Sequence, residues 1–232
     1  MFRRTLRIGT WLVAALVLLL AVPVVLTPVY AIRAIHPMST LMLYDHVTGQ
    51  PAKRDWVPIE DVAPVLLHSV IMSEDGQFCR HHGVDWGEMR AVVRQALAGK
   101  ETRGASTITM QTVKNLFLWN DRSFLRKGIE LPLALYFDFV LSKRRIMEIY
   151  VNIAEWDRGI YGIEAASEHY FHKHAAQLTP RQAALIAVTL PAPDARNPAR
   201  PSGELNRLAR RIERMAKHSG AYVGCVGEDD GS

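Results

Sequence analysis

From Ile8 to Ile32 the chain runs 25 residues without a charged side chain, and no other feature restricts its fold so severely. As an α-helix rising about 1.5 Å per residue, such a run reaches about 37 Å, enough to cross a hydrocarbon core of about 30 Å. Pro23 and Pro28 fall in its second half, so a kink or an early helix end is expected there, with Ile8–Val22 as the firm part. Arg3, Arg4 and Arg7 precede the run, and positive residues stay cytoplasmic, so everything after Ile32 is expected outside the membrane. In a bacterium this describes a single-pass inner-membrane protein with a periplasmic domain. A cleaved signal peptide is the competing reading, since Val29-Tyr30-Ala31 offers small residues to a peptidase, but the run exceeds a usual signal core.

The rest of the 232 residues suffices for one domain, expected over 36–219 after an anchor over 1–35. Its periodicity is helical almost throughout: Ile59–Ser73, Trp86–Ala98, Ser106–Leu118, Phe124–Ile153, Tyr161–Tyr170, Thr179–Thr189 and Gly203–His218. Strand-like alternation is nearly absent, so the fold class is mainly α. Asp85 and Thr179 are expected to cap helix starts, Pro180 to occupy a first turn, and Gly99 and Gly220 to mark stops. Pro132 predicts a kink, or two helices meeting near Leu131. The tail 220–232, rich in glycine and acid, is expected to be disordered. Cys79 and Cys225 allow one bridge, whose formation depends on geometry. The chain has 28 basic against 23 acidic residues, and Arg3, Arg4 and Arg7 are among the former, so the outer domain is only mildly basic, which suits an anionic membrane surface or a phosphate ligand better than nucleic acid, for which no module is present.

Three stretches carry chemistry. In the first, Glu74-Asp75 ends the apolar run Val65–Met72, where burial would raise a carboxyl pKa towards neutrality and suit it to proton exchange; the plain alternative is that the pair only solvates a helix end. In the second, Thr107, Gln111 and Lys114 share one helical face with Asn115 beside them, a set suited to a sugar phosphate or equally to a polar outer surface. In the third, Arg122, Arg126, Lys127 and Glu130 follow the apolar Leu116-Phe117-Leu118-Trp119. Arg126 and Glu130 can form an ordinary one-turn ion pair, yet an apolar flap beside cations also suits a lipid tail with its phosphates held. His169, His172 and His174 match no closed zinc pattern, so exposure is expected of them.

In order and spacing these stretches resemble the peptidoglycan glycosyltransferases (family 51), which occur alone or as the front half of class A penicillin-binding proteins. The first motif resembles Glu74-Asp75-x-x-Phe78-x-x-His81-x-Gly83, and the second Gly104-Ala105-Ser106-Thr107-Ile108-Thr109-x-Gln111-x-x-Lys114-Asn115. The third resembles Arg126-Lys127-x-x-Glu130 with Ser142-Lys143 and Tyr150-x-Asn152; the others resemble Gly159–Phe171 and Gln182-Ala183-Ala184 with Leu190-Pro191. The resemblance implies a lysozyme-like fold and polymerisation of lipid II on a growing lipid-linked strand, with inversion and release of undecaprenyl diphosphate. It implies Glu74 as base and Glu130 as second carboxylate, organising a divalent cation, a phosphate or the basic residues around it. Asp75, Phe78, His81, Thr107, Gln111, Lys114, Asn115, Arg122, Arg126 and Lys127 are the implied substrate-binding residues. No cofactor is implied for the chemistry, though magnesium or manganese near the diphosphate is compatible, and other cell-wall synthesis proteins are compatible partners.

Met110, Asp138, Ala192 and Asp157-Arg158 depart from the pattern without removing an implied catalytic group. The absence of Ser-x-x-Lys, Ser-x-Asn and Lys-Thr-Gly sets implies glycan polymerisation without peptide cross-linking. Two rivals stand: a glycan-cleaving enzyme, which leaves Lys114, Arg122 and Arg126 without a purpose, and a non-catalytic membrane scaffold.

Overall fold

The computed structural model describes Trp11 and residues 21–100, 104–119, 123–193 and 195–227. Helices dominate it. Within the described residues α1 covers 21–29, followed by α2 (Thr40–Thr48), α3 (Pro64–Glu74), α4 (Trp86–Leu97), α5 (Ile108–Phe117) and α6 (Phe124–Val140). Then come α7 (Lys143–Ile153), α8 (Ile163–Phe171), α9 (Pro180–Ala187), α10 (Gly203–Lys217) and the short α11 (Gly220–Val223). Asp85 and Thr179 cap α4 and α9 as expected, Thr179 in a full capping box with Gln182. The near absence of strands needs one amendment. Lys53–Arg54, Glu155–Asp157 and Ile160–Tyr161 form a small sheet, β1, β2 and β3 in that order, with β3 central, parallel to β1 and antiparallel to β2. Strands of two or three residues are too short for alternation to register.

α5 lies at the centre, packed against α6 and α7, while α3 packs against α9 and α10. Leu66, Val70 and Ile71 of α3, Ile108 and Val113 of α5, Phe137 of α6 and Ile146 of α7 are all fully buried. Each contributes about 1.5–3 kcal/mol by leaving water. A smaller cluster joins Ala184, Leu185 and Val188 to Leu205, Ala209 and Ile212, whose helical spacing turns one apolar stripe of α10 inward.

Of the kink or helix junction expected at Pro132, the junction near Leu131 is not there: α6 continues through Pro132. Pro132 deprives the Gly128 carbonyl of a donor, but Gly128 is exposed and has no side chain to obstruct water. The chain instead breaks at Leu141–Ser142, where extended backbone precedes α7 and the Ser142 side chain accepts from the Arg145 amide.

At the front of the molecule, residues 8–10 and 12–20 of the expected span lie outside the described residues. Among the described residues no helix is long and apolar enough to cross a membrane. Of the kink or early end expected at the prolines, the early end does not occur, since α1 continues to residue 29. Pro28 cannot donate to the Val24 carbonyl, and the Tyr136 hydroxyl of α6 donates to it instead (2.9 Å). The segment after α1 is clasped to the domain. Arg145 donates to the carbonyls of Tyr30 (2.8 Å), Ile32 (3.2 Å) and Ile35 (2.6 Å), Arg54 donates to that of Pro37, and His36 stacks on Trp56. Arg33, with help from Arg144 and against burial, holds the Glu60 carboxyl down at about 2.

The tail corrects the expectation of disorder from Gly220. Gly220–Val223 is helical, a 3-10 turn follows over Gly224–Val226, and Cys225 is bonded to Cys79. Arg144 donates to the carbonyls of Val226 and Gly227. Composition suggested a free end, but these bonds hold it across 146 residues of sequence. Residues 228–232 lie outside the described ones.

Candidate active site

Glu74 is the last residue of α3, an apolar helix that buries Leu66, Leu67, Val70 and Ile71 in the core. Burial raises its carboxyl above the usual range, and the neighbouring Asp75 charge adds to the rise. Three groups oppose it: Gln111 Nε2 donates to Oε2 (3.2 Å), Ser73 Oγ donates to Oε1 (3.2 Å), and the Arg196 charge lies nearby. The result is a carboxylate poised to exchange a proton. Asp75 is turned the other way. It is buried, accepts from the Ile108 amide (2.9 Å) and has both oxygens 2.9 Å from His81 Nε2. Asp75 therefore staples the end of α3 to the start of α5, fixing Glu74 relative to Gln111.

The remaining members of the first two motifs divide between core and cleft. Phe78 is fully buried, with the Lys143 ammonium 4.6 Å above its ring. Thr107 caps α5 and donates its hydroxyl to the Gly83 carbonyl (2.6 Å), so it faces the protein. Gly83 is required by its neighbours: its φ is +80°, and a Cβ there would lie 2.4 Å from the Ala134 carbonyl oxygen. Asn115 is half-buried, and its backbone carbonyl accepts from the Thr40 hydroxyl (3.2 Å). Of the helical face expected to converge, Gln111 reaches Glu74 and Lys114 lies near Glu130, whereas the Thr107 hydroxyl is taken by the Gly83 carbonyl.

Beside Glu74 opens a cleft of about 420 Å³ lined by Ser106, Gln111, Arg196, Arg211 and Met215 among others. Ser106 connects it to a cationic cluster, because Lys127 Nζ donates both to Ser106 Oγ (2.8 Å) and to Glu130 Oε1 (2.5 Å). Glu130, 1% exposed, also pairs with Arg126 one turn away. Lys114 adjoins them. Burial, with the charges of Arg126 and Lys127, holds its ammonium below the ordinary lysine range against the attraction of Glu130. Three cations around one carboxylate leave a site short of negative charge, suited to a phosphate group. Arg122 lies outside the described residues.

Sequence reading missed Arg196 and Arg211. The first sits in a proline-rich loop that reads as surface, and the second among the many charges of α10; no local signal marks either. Asp138, seen in the sequence only as a departure from the pattern, has a buried side chain that accepts from Lys143 (2.5 Å) and Thr109 (3.2 Å) and so joins α5, α6 and α7. His174 is exposed as expected and pairs with Glu164 (2.6 Å).

The transglycosylase family profile matches residues 42–218, which include every described group named above from Glu74 to Arg211. The chain belongs to the transglycosylase family. Proteins named biosynthetic peptidoglycan transglycosylase resemble it along nearly their whole length. That of Mesorhizobium japonicum is 64% identical over 227 residues, covering 97% of this chain and 96% of its own. Those of Agrobacterium fabrum and Brucella suis are 61% and 60% identical, covering 93% and 91% of this chain and 95% and 94% of theirs. The first two motifs meet at Glu74 and Gln111, and the second and third together supply the cations beyond Ser106, Lys114 from the second and Arg126 and Lys127 from the third.

Proposed function

We propose that this transglycosylase polymerises lipid II, joining a growing glycan strand to the 4-hydroxyl of a fresh lipid II and releasing undecaprenyl diphosphate. The observation that carries this reading is a buried carboxylate with a raised pKa, one cleft wall away from three clustered cations. Ionised Glu74 takes the proton of the acceptor 4-hydroxyl as that oxygen bonds to the anomeric carbon of the donor. The bond from that carbon to the diphosphate breaks on the opposite face, so configuration inverts. The negative charge gained by the diphosphate is met by Lys114, Arg126 and Lys127. A glycan-cleaving reaction would leave these cations without work.

Glu130 serves in this reading to hold Arg126 and Lys127 in place. Among the described residues both its oxygens pair with those side chains, so its part in this reading is to place the cations. The chemistry is assigned here to the protein's own side chains. The mainly helical build, with a carboxylate at a helix end beside a cleft, fits a lysozyme-like arrangement. Work on a cell-wall polymer locates the protein in the cell envelope. The uncharged run after Arg3, Arg4 and Arg7 favours an inner-membrane anchor with a periplasmic domain, as does a disulfide, which suits an oxidising compartment.

The test is a gel assay of labelled lipid II with the purified chain and its Glu74→Gln variant in detergent, each confirmed folded by circular dichroism. Polymer from the wild type and a loss of at least about 100-fold in the variant are expected. Full activity in a folded Glu74→Gln variant would remove Glu74 from the role of base.

A further inference from the structure

Behind the cleft, the Tyr150 side chain of α7 reaches the catalytic carboxylate through a single intermediary. Tyr150 is 1% exposed, and its hydroxyl donates to Gln111 Oε1 (3.1 Å). The amide of Gln111 spans the gap, its Nε2 donating to Glu74 Oε2 (3.2 Å). We propose that Tyr150 is a positioning residue for the glycosyl transfer: its hydroxyl locks the Gln111 amide in the one orientation that presents an N–H to Glu74. The proposal rests on Glu74 being the base.

An amide oxygen and nitrogen are nearly equal in shape, so packing alone does not choose which one faces Glu74. The turned amide would set its oxygen against a carboxylate oxygen and would force the Tyr150 hydroxyl to accept. Among the described residues the hydroxyl has no other bonded acceptor, so its proton would then be buried without a partner. The observed orientation satisfies all three groups. Burial, reinforced by the Glu74 and Asp75 charges, keeps the phenol protonated far above neutral pH, so this donor persists throughout the working range. Gln111 bonds best to ionised Glu74, which is the form a base needs before reaction. Burial pushes Glu74 towards the neutral acid, and the Tyr150–Gln111 pair moves the balance back. Neither residue needs to touch the reacting atoms to do this.

The experiment measures kcat/KM against pH for the full chain in detergent with labelled lipid II, comparing wild type, Tyr150→Phe, Gln111→Leu and the double variant. Tyr150→Phe should move the acid limb to higher pH. The rate below that limb should fall about threefold to tenfold, the size of one neutral hydrogen bond, while the plateau changes less than about twofold. The double variant should match Gln111→Leu alone, because Tyr150 acts through that amide. A loss uniform across pH would overturn the proposal, as would a double variant in which both losses multiply. Should Tyr150→Phe not fold, Gln111→Leu decides, and an unmoved limb overturns the proposal. Full activity in Glu74→Gln would instead sink the assignment of the base, a failure separable from this one.

Discussion

Burial sets the Glu74 carboxyl against its own ionisation, and that conflict extends beyond catalysis into stability. Below about pH 4.3 both folded and unfolded chains hold the proton, so Glu74→Gln should gain nothing. As pH rises the unfolded chain ionises first, and the wild type loses stability until Glu74 ionises within the fold. Thermal melts of Glu74→Gln and wild type should therefore coincide near pH 4 and separate in favour of the variant towards pH 8; a constant difference would contradict the raised pKa. Glu130 makes the opposite case, being buried but paired on both oxygens. Glu130→Ala leaves two cations facing each other and should cost about 3–5 kcal/mol in urea titrations. A loss under about 1 kcal/mol would mean that water already screens the cluster. The sequence made Glu74 visible because an acidic pair ends an apolar run. Asp75 looked like its equal, since nothing local reveals that its partners are the amide of Ile108 and the ring of His81.

Helix positions were readable from apolar spacing, and helix ends were readable where a cap stood in the sequence, as at Asp85 and Thr179. Prolines failed to end a helix at two places, for one physical reason. A proline breaks a helix by stranding the carbonyl four residues earlier, and the damage depends on what else that carbonyl can reach. Beyond Pro132 it is solvent at Gly128; beyond Pro28 it is the Tyr136 hydroxyl from a helix over 100 residues away. Neither remedy is written next to the proline. Ser142 did carry the signal for the true break between α6 and α7, but continuous apolar spacing on both sides concealed it. Arg196 and Arg211 were illegible for a related reason: they belong to the cleft only because the loop after α9 and one face of α10 return to α3.

At the scale of the whole molecule, the Cys79–Cys225 bond ties the final turn to the loop that follows Glu74 and Asp75. Replacing both cysteines by serine should lower stability by about 2–5 kcal/mol, read from urea unfolding, with most of the change in the unfolded chain. Reduction of the wild type should reproduce it, and a reduced protein as stable as the oxidised one would show that the packing of α11 suffices without the bond. The clasp of Arg145 on the carbonyls of Tyr30, Ile32 and Ile35 has a geometric consequence on the anchored reading proposed above. A catalytic head on a slack tether would sample a range of heights and tilts over a bilayer. A neck held at three carbonyls would instead keep the cleft at one set altitude, so that on that reading each new sugar would join a strand leaving at one bearing.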